Sequence, residues 1–592
     1  MPRYPFLRPA AQTRLTTAVF PGLDRRAQPP EGAMAGMSNL STARFPSLAT
    51  RSPRGLLRTL TAPQGLAAKD SLVWADGGTL YLNGLPVPGL ALSPGEKQLV
   101  GMGAWLCVFP DKLYVNTEDP ADCGSMEAFY TSRGAVGYSL CRADGTDFTR
   151  VAVGDAEPED TSWELWLSTA GGTTCAMSYS VSVGAWVEVD TVYTKLRFTS
   201  QGDIPRLFAE GDGVSIEGAA FQDANGEKIL CAVGGNGESG QETDDFIVVV
   251  GLLPEPFTQT EGSVTLARRV PELDFVCEAG NRLWGCFYGV SGGRVLNELY
   301  CCALGDFKNW RQYRGLSTDS WTAGVGSDGA WTGAVNYLGC PTFFKEERIH
   351  QISISPVGAH TVRETVCRGV QKGSHKSLAV VNETLFYKSR GDVCAWQGGF
   401  PRSVSEALGE TRLFDAAAGA LGGMYYLSAR DAEGAWQLLT YDIEKGLWAR
   451  QDGLHALQFA QSGGELYAID AASGGLLALN GRAGEREEDF DWECVSGVQA
   501  YEYPDRKTLS RYNIRARLQP GAQAAVYFEY DGSGEWVASG ALRHTGLNTA
   551  VLPVRPRRCD HLRMKIAGRG GMELMSITRV LELGSDVAGT TP

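Results

Sequence analysis

The sequence predicts an all-β protein organised as a β-propeller of five to seven blades, with a small inserted β-barrel and a C-terminal β-sandwich. Three observations predict it. A Gly-punctuated turn followed by a short aromatic and β-branched run recurs at 281–287, 327–333, 382–387, 422–427 and 463–469. With Trp284, Trp331, Phe386, Tyr426 and Tyr467 as register marks, the steps are 47, 55, 40 and 41 residues. Short strands and turns repeating every roughly 40–50 residues are the pattern of propeller blades. Gly supplies 73 of the 592 residues, an excess that tight turns require because Gly enters positive φ without strain.

Length and charge narrow the classes. A chain of 592 residues exceeds one compact core and predicts two to four domains at about 150 residues each. The net charge of −14 argues against a general nucleic-acid binder, which needs a cationic footprint, but allows an acidic channel that DNA passes through. The first residues, Met1-Pro-Arg-Tyr-Pro, lack the apolar core of a secretory signal. The fourteen cysteines are therefore expected as reduced, buried small hydrophobes. No apolar run reaches the about 18 residues of a membrane span.

Taken in order, residues 1–60 read as an extended N-terminal arm, rich in Pro and Arg and without a sustained period. Residues 61–120 carry the first blades: strands turn at Gly77-Gly78 and again at Pro110-Asp111. Between 121 and 262 the register marks vanish while strands persist, which predicts an inserted β-rich unit. Within it, the Gly211–Gly218 stretch, the Asn225-Gly226 hairpin and the apolar run 246–250 resemble a small SH3-like barrel near 199–255. Blades resume over 263–484, with one short helical stretch at Ser403–Leu408 that opens on a Ser cap. The charged run 484–493 reads as a linker. Over 493–592 strands return as a β-sandwich; in 512–518, Ile514, Ala516 and Leu518 alternate with Asn513, Arg515 and Arg517, a strand with one wet face.

Catalytic motifs lack their structural context. Gly289-Val-Ser-Gly-Gly293 spells a nucleophile elbow, but the following Arg294–Tyr300 reads as a strand where a helix is required. Gly235–Gly240 spells a dinucleotide fingerprint without the helix that would hold a pyrophosphate. Six scattered histidines and no Cys-x-x-Cys pair suggest no metal site. Ser327–Trp331 and Asp431–Trp436 share the ingredients of sialidase aspartate boxes without their spacing. No catalytic residue, cofactor or metal is therefore expected.

Two stretches carry a resemblance. Phe20-Pro-Gly-Leu-Asp-Arg-Arg26, Glu31–Leu40 and Phe45–Arg54 at one end, with Pro556–Leu562 and Leu581–Asp586 at the other, resemble the entry and closing segments of propeller-type tail proteins of tailed bacteriophages, of the nozzle or hub type. The resemblance implies a non-enzymatic structural subunit of the virion tail or neck, made in the host's cytoplasm. It further implies a homo-oligomeric ring around the channel through which genomic DNA leaves, in contact with other tail and neck proteins. The arm would then clasp a neighbouring subunit, with Arg25, Arg26, Arg51, Arg54, Arg557 and Arg558 as interface candidates. The alternative is a receptor- or carbohydrate-binding propeller at the tail tip, with or without glycan hydrolase activity.

Overall fold

The computed structural model describes residues 12–200, 202–235, 243–500, 507–553 and 557–583. Strand after strand pairs with its neighbour in sequence, because the chain between them is too short to reach elsewhere. Seven antiparallel meanders result, with first strands Pro63–Lys69, Gln98–Met102, Phe275–Glu278, Gly333–Tyr337, Ala379–Val381, Leu413–Leu421 and Ala456–Ser462. Several hairpins turn on two residues in the left-handed region, among them Gly422 (φ 55°) with Gly423 (φ 76°) and Asn382 (φ 45°) with Glu383 (φ 63°). That turn type twists in the sense that paired strands do. The register-mark aromatics pack between sheets: Trp284, Trp331, Phe386 and Tyr426 are all buried, each worth roughly 1.5–3 kcal/mol of hydrophobic stabilisation.

The first strands lie beside one another and are tied across the gaps. Lys97 N–H donates to the Gln64 carbonyl at 2.8 Å. Gln98 donates through Nε2 to the Asp274 carbonyl at 2.8 Å and accepts the Val276 N–H at 3.1 Å. Ser374 Oγ accepts the Ala416 N–H at 3.1 Å, and Gln458 Oε1 accepts the Leu66 N–H at 3.0 Å. The last meander takes its fourth strand, Gly55–Thr59, from the N-terminal part of the chain.

The N-terminal residues are otherwise spent on the C-terminal sheets. Gln12–Thr17 and Leu48–Thr50 both pair with Met572–Leu583, while Met34–Ser38 pairs with Asp491–Ser496. A seven-stranded and a five-stranded sheet arise in this way, and Tyr512 of one meets Phe528 of the other at 4.7 Å. In strand Lys507–Leu518, Ile514, Ala516 and Leu518 point inward and Arg515 and Arg517 outward.

Several expectations are corrected here. The region from 128 to 268 contains three open sheets, and two of them divide the strands assigned to an SH3-like barrel: Gly213–Glu217 and Gly226–Ile229 lie in one, Thr243–Val250 in another. Their shared core, with Leu196, Ile216 and Ile247, is packed from two faces and needs no closure. Across the described residues there are twelve sheets, and no hydrogen-bonded ladder closes on itself or joins one meander to the next. What the structure supports is an all-β protein of many small, almost wholly antiparallel sheets, in place of the closed propeller with an inserted barrel that the repeat suggested. The physical reason is that a period specifies a repeating unit, each satisfied by its own ladders, and is silent on closure. The helix expected at Ser403–Leu408 shrinks to the 3₁₀ turn Glu406–Leu408, because the expected cap, Ser403, is held in a strand paired with Cys394, and Ser405, ahead of the turn, accepts the Val393 N–H at 3.0 Å.

The oligomeric ring and DNA channel are corrected as well. The arm that was to clasp a neighbour is hydrogen-bonded into three sheets of its own chain. Arg51 and Arg54, offered as contacts for a partner, are buried and pair with Glu487 and Asp452 of the same chain. The described residues of the arm are thus committed to the sheets of their own chain and do not support such an assembly.

Candidate functional site

Segments leading into several of the first strands approach one another, and their polar residues form an ionisable group around Glu96. Glu96 precedes Gln98–Met102, Asp274 precedes Phe275–Glu278, and His375 and Lys376 precede Ala379–Val381. His455 precedes Ala456–Ser462. These are residues far apart in sequence, and only the packing of separate sheets unites them.

Glu96 is the hub. His375 Nε2 lies 3.1 Å from its Oε1 and Lys376 Nζ 3.0 Å from its Oε2. Burial opposes ionisation of Glu96, but the hydrogen bond from His375 and the charge of Lys376 outweigh it and hold the carboxyl down at about 2. The ring of Phe275 rests 5.2 Å from that of His375. On the far side of Lys376, His455 stacks on Trp436 with ring centroids 3.5 Å apart. Burial pushes the His455 pKa below its ordinary value; Asp470 and Asp415 oppose this while Lys376 adds to it. Asp415, held in the left-handed region at φ 53°, pairs with Arg430 at 2.6 Å. Asp274 moves the other way from Glu96: burial raises its pKa, against a 2.8 Å bond from the Tyr288 N–H.

Beside Glu96 opens a cleft of about 550 Å³. Its walls mix apolar side chains, Pro63, Leu92, Leu457 and Ile469, with the hydrogen-bonding Gln64, Lys376 and Gln458. The sequence reading missed this group altogether. The available signal was positional: a polar residue just ahead of each first strand, visible only once those strands are aligned.

The residues singled out from sequence lie elsewhere. Arg25 is bonded within the chain to Thr411 at 3.2 Å and Gln437 at 2.9 Å, and Arg26 to Asp24 at 2.5 Å. Arg51 and Arg54 are the internal fasteners described above. Arg557 is exposed over the Tyr530 ring at 5.3 Å, and Arg558 is exposed. Ser291 ends strand Leu283–Ser291 at a hairpin tip with Arg294–Cys301 following, so no elbow forms. All of the Gly235–Gly240 fingerprint except Gly235 falls outside the described residues.

Ser327, from the aspartate-box-like stretch, does meet a histidine: its Oγ is 3.0 Å from His350 Nε2. Glu364 Oε2 lies 3.3 Å from that same nitrogen. A carboxylate accepts only, so Nε2 carries the proton and has no lone pair to take one from Ser327. A working triad places the acid on the opposite nitrogen, and His350 Nδ1 is buried without a hydrogen-bond partner among the described residues. This trio ties the loop carrying Ser327 to the sheet that carries His350 and Glu364 and does not activate a nucleophile.

No family model and no curated protein matches the sequence. Among solved structures, an exo-β-1,3-galactanase from Phanerochaete chrysosporium is similar at 11% identity, over 51% of this chain and 94% of that one, with a TM-score of 0.20. The extracellular domain of a putative hybrid two-component system from B. thetaiotaomicron is similar at 9% identity over 91% and 98%, TM-score 0.23. A Trypanosoma rangeli sialidase is similar at 8% identity over 90% and 96%, TM-score 0.20. At these scores the likenesses assign neither fold nor activity to this chain. The resemblance to a virion subunit does not stand once the segment that carried half of it is folded into the sheets of its own chain. The expectation of a chain without catalytic machinery is corrected by the geometry: Glu96, His375 and Lys376 form a hydrogen-bonded group on an open cleft.

Proposed function

We propose that the chain is a carbohydrate-recognising β protein whose sugar site is the cleft beside Glu96. One observation carries the reading: an ionised carboxylate, held by His375 and Lys376, stands on the wall of a cleft whose lining alternates apolar and hydrogen-bonding side chains. A pyranose presents the matching pair of textures, C–H faces and hydroxyls. A hydroxyl donating to a charged acceptor contributes about 1.5–3 kcal/mol, enough for Glu96 to dominate orientation. Gln458 and Lys376 supply further hydrogen-bonding groups around it, while the Gln64 amide is spent on Gly78, Ser93 and Gly95.

The same chemistry bears on hydrolysis. Glu96, ionised at neutral pH, suits the base or nucleophile and cannot serve as the acid. Asp274, whose carboxyl burial pushes up, is joined to this wall only through its backbone bond to Gln98 and does not line the cleft; a role as proton donor requires that bound substrate reach it. The test is calorimetric titration of the full chain with a panel of neutral and acidic oligosaccharides, together with an assay for released reducing ends. Saturable binding that weakens about tenfold, some 1.4 kcal/mol, in Glu96→Gln, measured well below the variant's Tm so that it remains folded, is the expected result. Binding that Glu96→Gln leaves untouched, or no binding across the panel, overturns the reading. Reducing ends released by the native chain but by neither Glu96→Gln nor Asp274→Asn would extend it to hydrolysis.

A further inference from the structure

A second cavity, of about 350 Å³, lies between the C-terminal sheets and the last two meanders. Its lining includes four guanidinium groups, Arg44, Arg51, Arg486 and Arg517, and a single carboxylate, Glu573. That sign is opposite to the chain as a whole, which carries −14. The arginines are unequally committed. Arg51 is spent on Glu487. Arg44 and Arg517 share one oxygen of Glu573, at 3.0 Å and 3.3 Å. Arg486 carries no ion pair among the described residues. Two guanidinium groups on one carboxylate, plus an unpaired third, leave an excess of about two positive charges around one space.

An independent observation points into the same space. Thr440 lines the cavity and is 1% exposed, yet its hydroxyl has no hydrogen-bond partner among the described residues. A buried hydroxyl left unbonded costs free energy, and this one lines the same cavity as Arg44, Arg486 and Arg517. A small oxyanion answers both demands, accepting from the arginines in the fork geometry that guanidinium favours and from the Thr440 hydroxyl.

We propose that this cavity binds a small oxyanion, a phosphate or a sugar carboxylate, between Arg44, Arg486, Arg517 and Thr440. It is separate from the cleft beside Glu96 and does not depend on the carbohydrate reading. The experiment is calorimetric titration of the full chain with inorganic phosphate and, separately, with D-glucuronate, at ionic strength held constant with chloride. One or both should bind saturably at one site per chain, and which of them does so identifies the source of the oxyanion. Arg486→Gln and Arg517→Gln should each weaken binding at least about fivefold. Thr440→Val should weaken it while leaving Tm unchanged or higher, since it removes an unbonded hydroxyl and keeps the shape; this separates loss of a ligand contact from loss of fold. If neither anion binds saturably, or if both arginine variants bind like the native chain, the proposal is wrong.

Discussion

Glu383 sits at φ 63° in a two-residue hairpin turn next to Asn382 at φ 45°, where its Cβ crowds the backbone. Non-Gly residues pay roughly 1–2 kcal/mol for that region. The Tyr337 hydroxyl bonds the Glu383 carbonyl at 2.8 Å, a contact that survives loss of the side chain. Glu383→Gly is therefore expected to raise stability by about 0.5–1 kcal/mol after the entropy of a freer unfolded chain is deducted, read as an upward shift of the urea midpoint. Arg51 behaves in the opposite sense. Its side chain is 4% exposed and bound to Glu487, and its guanidinium lies 3.9 Å from the centre of the Phe490 ring. Burial lowers its pKa, which the bond to Glu487 resists. Arg51→Ala should cost about 2–4 kcal/mol, because truncation leaves Glu487 without its guanidinium partner; the same urea titration measures it. Arg51 looked like a surface cation in the sequence because a Pro- and Arg-rich stretch without periodicity carries no sign of burial.

Between elements, the contacts that matter are those joining one first strand to the next. Gly419 faces Phe459 of the neighbouring strand so closely that an added Cβ would sit 2.6 Å from the Phe459 Cβ. A Gly within a strand that reads Ala-Ala-Ala-Gly-Ala is thus a packing requirement and not a turn, which periodicity could not distinguish. Gly419→Val should overpack this seam and cost about 1–3 kcal/mol, visible as a lower Tm, whereas Gly434→Ala, at a turn with nothing within 4 Å of the added carbon, should act only through its φ of 90°. The meanders themselves were legible from Gly, Asn and the aromatic run. The ties between them were not, because Gln98, Ser374 and Gln458 are polar residues whose partners lie in other repeats.

For the molecule as a whole, acid should act in two stages. Burial pushes the His350 pKa down to about 4 despite the pull of Glu364, so below its ordinary 6.5 the unfolded chain takes up a proton that the folded chain refuses. Stability then falls as pH drops from 6.5 towards 4, by at most about 1.4 kcal/mol per pH unit for this group. His360 and His455, also lowered by burial, add in the same direction. Glu96 contributes the second stage: its folded value of about 2 against an ordinary 4.5 gives stability that is whole above 4.5 and is lost as pH falls to 2. Urea midpoints between pH 7 and 3 should therefore decline throughout. His350→Gln should flatten the upper part of that decline, and Glu96→Gln the lower part; a midpoint indifferent to pH between 6.5 and 4 would contradict the burial of His350.

The amino-acid order alone determined what is local: an all-β chain, its short strands, its two-residue turns, and the wet and dry faces of strands such as Lys507–Leu518, since each follows from residues within a few positions of one another. Tertiary structure decided everything that joins distant segments. It folded residues 12–59 into the terminal sheets and the last meander, left the ladders open where a closed assembly was expected, and brought Glu96 to His375 across 279 positions. Periodicity reports which face of a strand is buried and carries no term for which other strand buries it; that choice is made by the packing of whole sheets against one another.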